Sequence, residues 1–327
     1  MAKRALIIGI DKYDHPGIND LSGAVKDARA IESVLAANED ESPNYDCRTF
    51  TSPGAWPVTR GFLRNKWDEL FTNFDEEILF YFAGHGSPTD IGGFLVTQDA
   101  TPDDPGLPMQ ELVDRANKSK AREVLLILDC CFSGSLGNPA SIQGDVENRA
   151  ILREGVTILA ASRSTQTSAE VGGHGVFTNL VLNALYGGAA DVLGNVSAAS
   201  VYAYAEQALG PWEQRPLYKS HASRLTPIRR CEPEVPPPIL RRLPELFPDP
   251  MATLPLDPSY EWSIEPRNPE HEEIFDCLKL YRNARMLRTV DKSVDHGDLY
   301  HAAIRSTGVR LTGLGRFYWQ LAHEKRI

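Results

Sequence analysis

The 327-residue chain is 42% apolar and 24% charged and carries a net charge of −10, the balance of a globular protein large enough to build its core without disulfide or metal staples. The acidic excess argues against nucleic acid as a partner. Five cysteines at irregular spacing (Cys47, Cys130, Cys131, Cys231 and Cys277) exclude a disulfide framework and a zinc-type ligand pattern, pointing to a reducing cytoplasm.

In chain order, Ala5–Ile10 (ALIIGI) is the first continuous apolar run, the pattern of a strand covered on both faces. It is too short for a signal peptide's apolar region and runs straight into Asp11 and Lys12; no later stretch approaches the roughly 18 apolar residues of a membrane span. Ala24–Leu35 follows as a helix with Ala24, Ala28, Ile31 and Leu35 on one stripe. Cys47–Thr51 is a short strand, and Thr59–Phe71 a helix carrying Phe62, Leu63, Trp67, Leu70 and Phe71. Next come the strand Glu77–Ala83, the short helix Met109–Ala116, and the strands Glu123–Asp129 and Gly155–Ala161. Phe177–Tyr186 and Ala198–Leu209 are helical. The alternation predicts an α/β sandwich with a mostly parallel central sheet.

The pattern changes near Cys231. Eleven prolines fall among the 38 residues from Glu232 to Pro269, a density that blocks helices and ladders and predicts an extended linker or surface strap. Glu270–Leu287, Leu299–Ile304 and Gly315–Glu324 then read as helices of a small C-terminal domain. The expected divisions are 1–230, 231–269 and 270–327.

Two strand ends carry the chemistry. One reads Phe82-Ala83-Gly84-His85-Gly86, the other Leu128-Asp129-Cys130-Cys131-Phe132-Ser133-Gly134. Ligands of open parallel sheets bind outside the carboxyl ends of the strands, so neighbouring strands ending this way would bring an imidazole and a thiol together. The thiolate is the nucleophile, and an imidazole can promote its formation or protonate a leaving amine. An oxyanion needs backbone N–H donors, for which Gly86 and Cys131 are the candidates.

The segments FAGHG and LDCCFSG, 46 residues apart from His85 to Cys131, resemble the caspase/metacaspase superfamily of clan CD, C14-like cysteine peptidases. RALIIGIDKY at Arg4–Tyr13, LSGAVKDA at Leu21–Ala28, ASRSTQTSAE at Ala161–Glu170 and GVFTNLVLNAL at Gly175–Leu185 extend the likeness over residues 1 to about 230. The resemblance implies a caspase–hemoglobinase-like sandwich, Cys131 as nucleophile, His85 as its histidine, and Asp27 with Asp129 lining the first specificity pocket. Two carboxylates there favour arginine or lysine, so peptides with a basic residue before the scissile bond are the expected substrates. No cofactor is expected. Calcium, frequent among metacaspases, has one candidate ligand in Asp99 with Asp103 and Asp104 nearby, short of the six to eight oxygens it takes. The residues past Cys231 lie outside the resemblance. Their arginines Arg282, Arg285, Arg288, Arg305, Arg310 and Arg316 suit phosphate contact, a solvated face or a docking surface alike. The style of Leu311–Ile327 is similar to the end of a winged-helix domain, and a regulatory role is expected, gated by a small molecule or partner protein, as in bacterial caspase-like defence or programmed-death effectors. Plainer readings stand beside these: Asp27 as a surface helix residue, Asp129 as a helix cap, Arg149 and Arg153 as loop residues rather than self-cleavage sites, and the whole chain as a non-catalytic scaffold.

Overall fold

The computed structural model describes residues 3–72, 77–89, 92–130, 152–161, 170–171, 174–209, 216–222, 226–290 and 298–327. The chain divides into two compact units, Met1–Ala190 with Asn195–Cys231, and Asp191–Gly194 with Glu232–Ile327.

The first unit runs β1 (Lys3–Ile10), α1 (Ala24–Ala36), β2 (Tyr45–Ser52), α2 (Arg60–Phe71), β3 (Glu77–Ala83), then the small antiparallel trio β4 (Gly86–Thr89), β5 (Gly92–Leu95) and β6 (Leu107–Pro108). It continues with α3 (Met109–Lys118), β7 (Glu123–Asp129), β8 (Val156–Ala160), the two-residue pair β9 (Glu170–Val171) and β10 (His174–Gly175), and α4 (Val176–Asn183), which passes into a π-helical turn at Ala184–Gly188. β11 (Asn195–Val196), α5 (Ala198–Ala208), β12 (Leu217–His221) and β13 (Arg229–Arg230) complete it.

The central sheet has the order β12-β8-β7-β3-β1-β2. All of these pairings are parallel except that of β12 with β8. Residue parity splits its side chains between two cores. Leu6, Ile8, Phe80, Phe82 and Leu126 pack under α2 and α3, while Ile7, Leu79, Tyr81 and Ile127 pack under α1, α4 and α5. Each fully buried side chain of this kind contributes about 1.5–3 kcal/mol. The mostly parallel α/β sandwich expected from the apolar runs is the fold observed.

The direction of winding sets the site. From β1 the chain crosses to β2 on one side, and then β3 pairs with β1 on the other. The order reverses between β1 and β3, the switch point where crevices open at the strands' carboxyl ends. Asp11, just past β1, accepts from the N–H groups of Ala24 (2.8 Å) and Val25 (3.3 Å), capping α1 from outside the helix because its own N-cap, Gly23, offers no side chain. At Gly9 an added Cβ would lie 2.4 Å from the Ala24 carbonyl oxygen, so only glycine lets α1 lie this close to β1. The cap and the close approach together fix the position of Asp27 on α1.

The second unit comprises α6 (Pro237–Leu240), α7 (Leu243–Leu246), β14 (Thr253–Pro255), a 3-10 turn at Pro258–Tyr260, α8 (Pro269–Asn283), β15 (Leu287–Thr289), α9 (Leu299–Ile304), β16 (Gly308–Leu311) and α10 (Gly313–His323). Its helices share one core with an antiparallel sheet of order β14-β16-β15. Residues 232–269, expected as linker or strap, supply Val235, Leu240, Leu243, Phe247, Leu256 and Tyr260 to this unit's core. Proline serves there at helix starts, and Trp319 Nε1 donates to the Phe247 carbonyl at 2.7 Å. The helix expected over Glu270–Leu287 stops at Asn283. Arg285 takes a left-handed φ of 58°, and the N–H of Met286 returns to the Tyr281 carbonyl at 2.8 Å, the C-terminal bond pattern that closes many helices. This turn frees Leu287 to enter β15.

Candidate active site

His85 lies two residues beyond the end of β3, past the carboxyl end of a strand that borders the switch point. Its backbone is held from two sides: its N–H donates to the Tyr13 hydroxyl at 2.9 Å, and its carbonyl accepts from Val96 N–H at 3.0 Å. Burial raises the Tyr13 phenol far above its ordinary range, so that hydroxyl keeps its proton, which it directs to the Ile10 carbonyl at 3.3 Å. The Tyr13 and His85 rings lie 5.0 Å apart between centroids. The imidazole Nε2 sits 2.7 Å from the Asn19 carbonyl oxygen. A carbonyl only accepts, so Nε2 carries a proton, and Nδ1 is the nitrogen left to exchange one with a reacting group.

Gly86 opens β4 opposite Leu95. The bond from Val96 N–H to the His85 carbonyl makes Gly86 and Leu95 a non-hydrogen-bonded pair of the antiparallel ladder, which turns the Gly86 N–H away from β5.

β7 lies next to β3, with Ala83 level with Asp129. Asp129 is therefore at the same height on the sheet as the strand end that delivers His85. Cys131, two residues further along the sequence, lies outside the described residues. Cys130 is 4% exposed and packed in the core under α2 and α3, so it presents no accessible nucleophile. Burial also raises the thiols of Cys47, to about 12, and of Cys231 and Cys277, which keeps all three in the unreactive protonated form at neutral pH.

The two predicted pocket carboxylates are brought together. Asp27 is 3% exposed, so it is no surface helix residue, and its Oδ2 accepts from Gly175 N–H at 3.1 Å. Asp129 Oδ2 accepts from the Thr178 hydroxyl at 2.5 Å and from the Thr178 N–H at 3.3 Å. It thus caps the start of α4. Thr178 Oγ1 lies 2.6 Å from the Tyr81 hydroxyl; since Thr178 donates to Asp129, it accepts from Tyr81. A Cβ on Gly175 would sit 2.8 Å from Asp129 Oδ2 and 3.3 Å from Asp27 Oδ2, so this glycine stands bare between two carboxylates. The Asp129 carboxyl is raised to about 6, first by burial and then by the charge of Asp27, against the lowering effect of the two Thr178 donors. Thr178, Tyr81 and Gly175 were not singled out from sequence; the segment Gly175–Leu185 was read only for its family likeness.

Of the acidic residues considered for calcium, Asp99 and Asp104 are engaged within the protein. Asp99 Oδ1 accepts from Arg60 N–H at 2.9 Å and from the Thr97 hydroxyl at 2.7 Å, and Asp104 pairs with the Arg60 side chain. Among the described residues no group of three or more His, Cys, Asp or Glu is arranged to hold a metal ion. Arg153 donates to the carbonyls of Ala116, Ala121 and Glu154 and so serves the fold, whereas Arg149 lies outside the described residues. No helix among the described residues is long and apolar enough to cross a membrane.

The mostly parallel six-stranded sheet between two helical layers is a caspase-type α/β fold. A family model described as the caspase domain, Peptidase_C14, matches residues 2–225, and the chain belongs to that family of cysteine peptidases. Among solved structures, a structural genomics target from Geobacter sulfurreducens aligns at 16% identity with a TM-score of 0.50, covering 71% of this chain and 100% of that one. A structure titled pro-sf-caspase-1 aligns at 14% identity with a TM-score of 0.44, covering 69% and 94%. No curated protein matches the chain.

Proposed function

We propose that the chain is an endopeptidase that cleaves after arginine or lysine, with Cys131 as nucleophile and His85 as proton carrier. The observation that carries this reading is the convergence of Asp27 and Asp129 on Gly175, level on the sheet with the β3 end that leads to a histidine whose Nδ1 is left for proton exchange. The Cys131 thiolate attacks the scissile carbonyl carbon, and the new C–S bond places a negative charge on oxygen. The N–H groups of Gly86 and Cys131 receive that charge. His85 gives its proton to the departing amine as the C–N bond breaks, leaving a thioester. Water then attacks the thioester, His85 takes the water's proton, and the acid product leaves as the thiolate re-forms. The substrate's cation is held between the two carboxylates by charge-assisted hydrogen bonds.

The second unit, in this reading, holds the peptidase idle until a small molecule or partner protein engages it, in keeping with a defence or programmed-death effector. The test is a panel of fluorogenic peptides ending in Arg, Lys or Asp, with wild type and Cys131→Ala. Hydrolysis of the basic peptides by wild type alone supports the reading; hydrolysis that survives Cys131→Ala, or that follows Asp, refutes it.

A further inference from the structure

Among the described residues several arginines pair with carboxylates or spend their guanidinium groups on carbonyls. Arg48 pairs with Glu69 at 3.2 Å, Arg64 with Glu111 at 2.9 Å, Arg242 with Glu273 at 2.6 Å, and Arg267 with Glu272. Arg153 and Arg229 spend their guanidinium groups on carbonyls. By contrast Arg285, Arg288, Arg310 and Arg316 of the second unit are all exposed, and none pairs with a carboxylate among the described residues. The sequence around them is locally basic: ten Lys or Arg against four Asp or Glu between Lys279 and Arg326, in a chain of net charge −10.

The sheet concentrates them. Arg288 of β15 stands directly opposite Arg310 of β16, and Arg310 opposite Thr253 of β14. Leu287, Val309 and Leu311 are buried, so the alternation puts both guanidinium groups on the solvent face. Like charges directly opposed destabilise a sheet, a cost that no carboxylate among the described residues offsets. Arg310 Nε donates to Thr253 Oγ1 at 2.6 Å, which orients the group and leaves its two terminal nitrogens outward. Arg285 sits at the α8–β15 turn, where its carbonyl accepts from the Thr312 hydroxyl at 2.9 Å, and Arg316 follows on the first turn of α10. β14, β15, β16 and α10 contain no carboxylate side chain. Phe317, next to Arg316 on α10, is 55% exposed, and Arg316 Nη1 lies 2.9 Å from the sulfur of Met251, itself exposed.

We propose that this face of the second unit binds the phosphodiester backbone of a single-stranded nucleic acid, with Arg288, Arg310 and Arg316 on phosphates and Phe317 as a stacking platform. Guanidinium groups suit phosphate because their fork gives two parallel bonds to one anion. A sheet face bearing spaced cations, with an exposed ring next to Arg316 on α10, suits a repeating, evenly charged strand whose bases stack without sequence preference. The acidity of the whole chain pointed away from nucleic acid; the charge arrangement within this unit points toward it. The inference is independent of the peptidase chemistry.

The test is fluorescence anisotropy of the full chain with a 5′-fluorescein single-stranded oligonucleotide of mixed sequence, titrated from about 50 to 200 mM salt, the range over which backbone contacts weaken steeply. The expected result is saturable binding that weakens with salt. The double variant Arg288→Ala/Arg310→Ala should bind at least about tenfold more weakly and flatten the log–log salt slope by about 1.4, close to 0.7 for each phosphate no longer neutralised. Circular dichroism melting confirms that this variant is folded, and Arg48→Ala in the first unit serves as the control that leaves binding unchanged. No binding at the lowest salt, equal binding by the double variant, or tighter binding of a fluorescein-labelled poly-glutamate peptide would each overturn the proposal, the last in favour of an acidic protein partner.

Discussion

Replacing Thr178 with valine isolates one interaction that the proposed pocket depends on. In the wild type the hydroxyl donates to Asp129 at 2.5 Å while accepting from Tyr81. A hydrogen bond to a charged group is worth about 1.5–3 kcal/mol, and one pKa unit corresponds to about 1.36 kcal/mol. Losing the donor should therefore raise the Asp129 carboxyl by about one to two units from its value of about 6. A cationic substrate side chain binds the ionised carboxylate, so binding is present above the folded pKa and lost as pH falls through it. At pH 7 the ionised fraction would drop from roughly nine-tenths to between a half and a tenth, raising KM for arginine peptides about two- to tenfold, with recovery near pH 9. Thr178→Val also strands the Tyr81 hydroxyl, at a stability cost of about 1–3 kcal/mol. Tyr81→Phe is the companion variant: it leaves the Thr178–Asp129 bond in place, so its midpoint stays near that of wild type. The assay is kcat/KM for an arginine peptide from pH 5 to 9, read beside thermal melts. Superimposable profiles for Thr178→Val and wild type would refute the reasoning.

Other outcomes follow from the same geometry. Asp27→Asn with Asp129→Asn should lower kcat/KM for arginine and lysine peptides by a hundredfold or more, about 2.7 kcal/mol at 1.36 kcal/mol per decade, without creating cleavage after aspartate. Gly175→Ala places a methyl 2.8 Å from Asp129 Oδ2, so KM for basic peptides should rise while the carbonyl chemistry, followed as kcat, changes less. Asp11→Ala removes the cap of α1 and should cost about 1 kcal/mol of stability in urea titration. Because Asp129 is raised from the ordinary aspartate value of 3.8 to about 6, the folded state holds an extra proton between those values. Asp129→Asn should therefore remove a component of stability that declines as pH rises from about 4 to 6, seen in melts across that window.

The parallel sandwich was legible because its strands are unbroken apolar runs and its helices carry apolar stripes. Pairing order was not: the reversal between β1 and β3 that sets the crevice depends on which strands come to lie side by side. His85 was singled out from the glycines on either side of it at a strand end, and Asp27 and Asp129 from the family likeness. Their supports were not legible. Thr178 and Tyr81 sit in ordinary apolar segments, and only packing α4 against β3 and β7 turns them into a chain of donors. The proline-rich stretch, expected as a linker or surface strap, adds side chains to the second unit's core for a similar reason. Proline prevents regular structure over any length, but it also starts short helices, and here those helices bury Leu240, Leu243 and Phe247. The small sheet of the second unit was missed because strands of three or four residues are too short to display an alternation.

Intact and peptide mass spectrometry after reaction with an arginine-directed acyloxymethyl ketone probe bears most directly on the peptidase assignment. A single adduct on Cys131, absent in His85→Ala and Cys131→Ala and not formed by the aspartate-directed analogue, is the predicted result. An adduct on Cys130 or any other cysteine, or labelling by the aspartate probe instead, would contradict it.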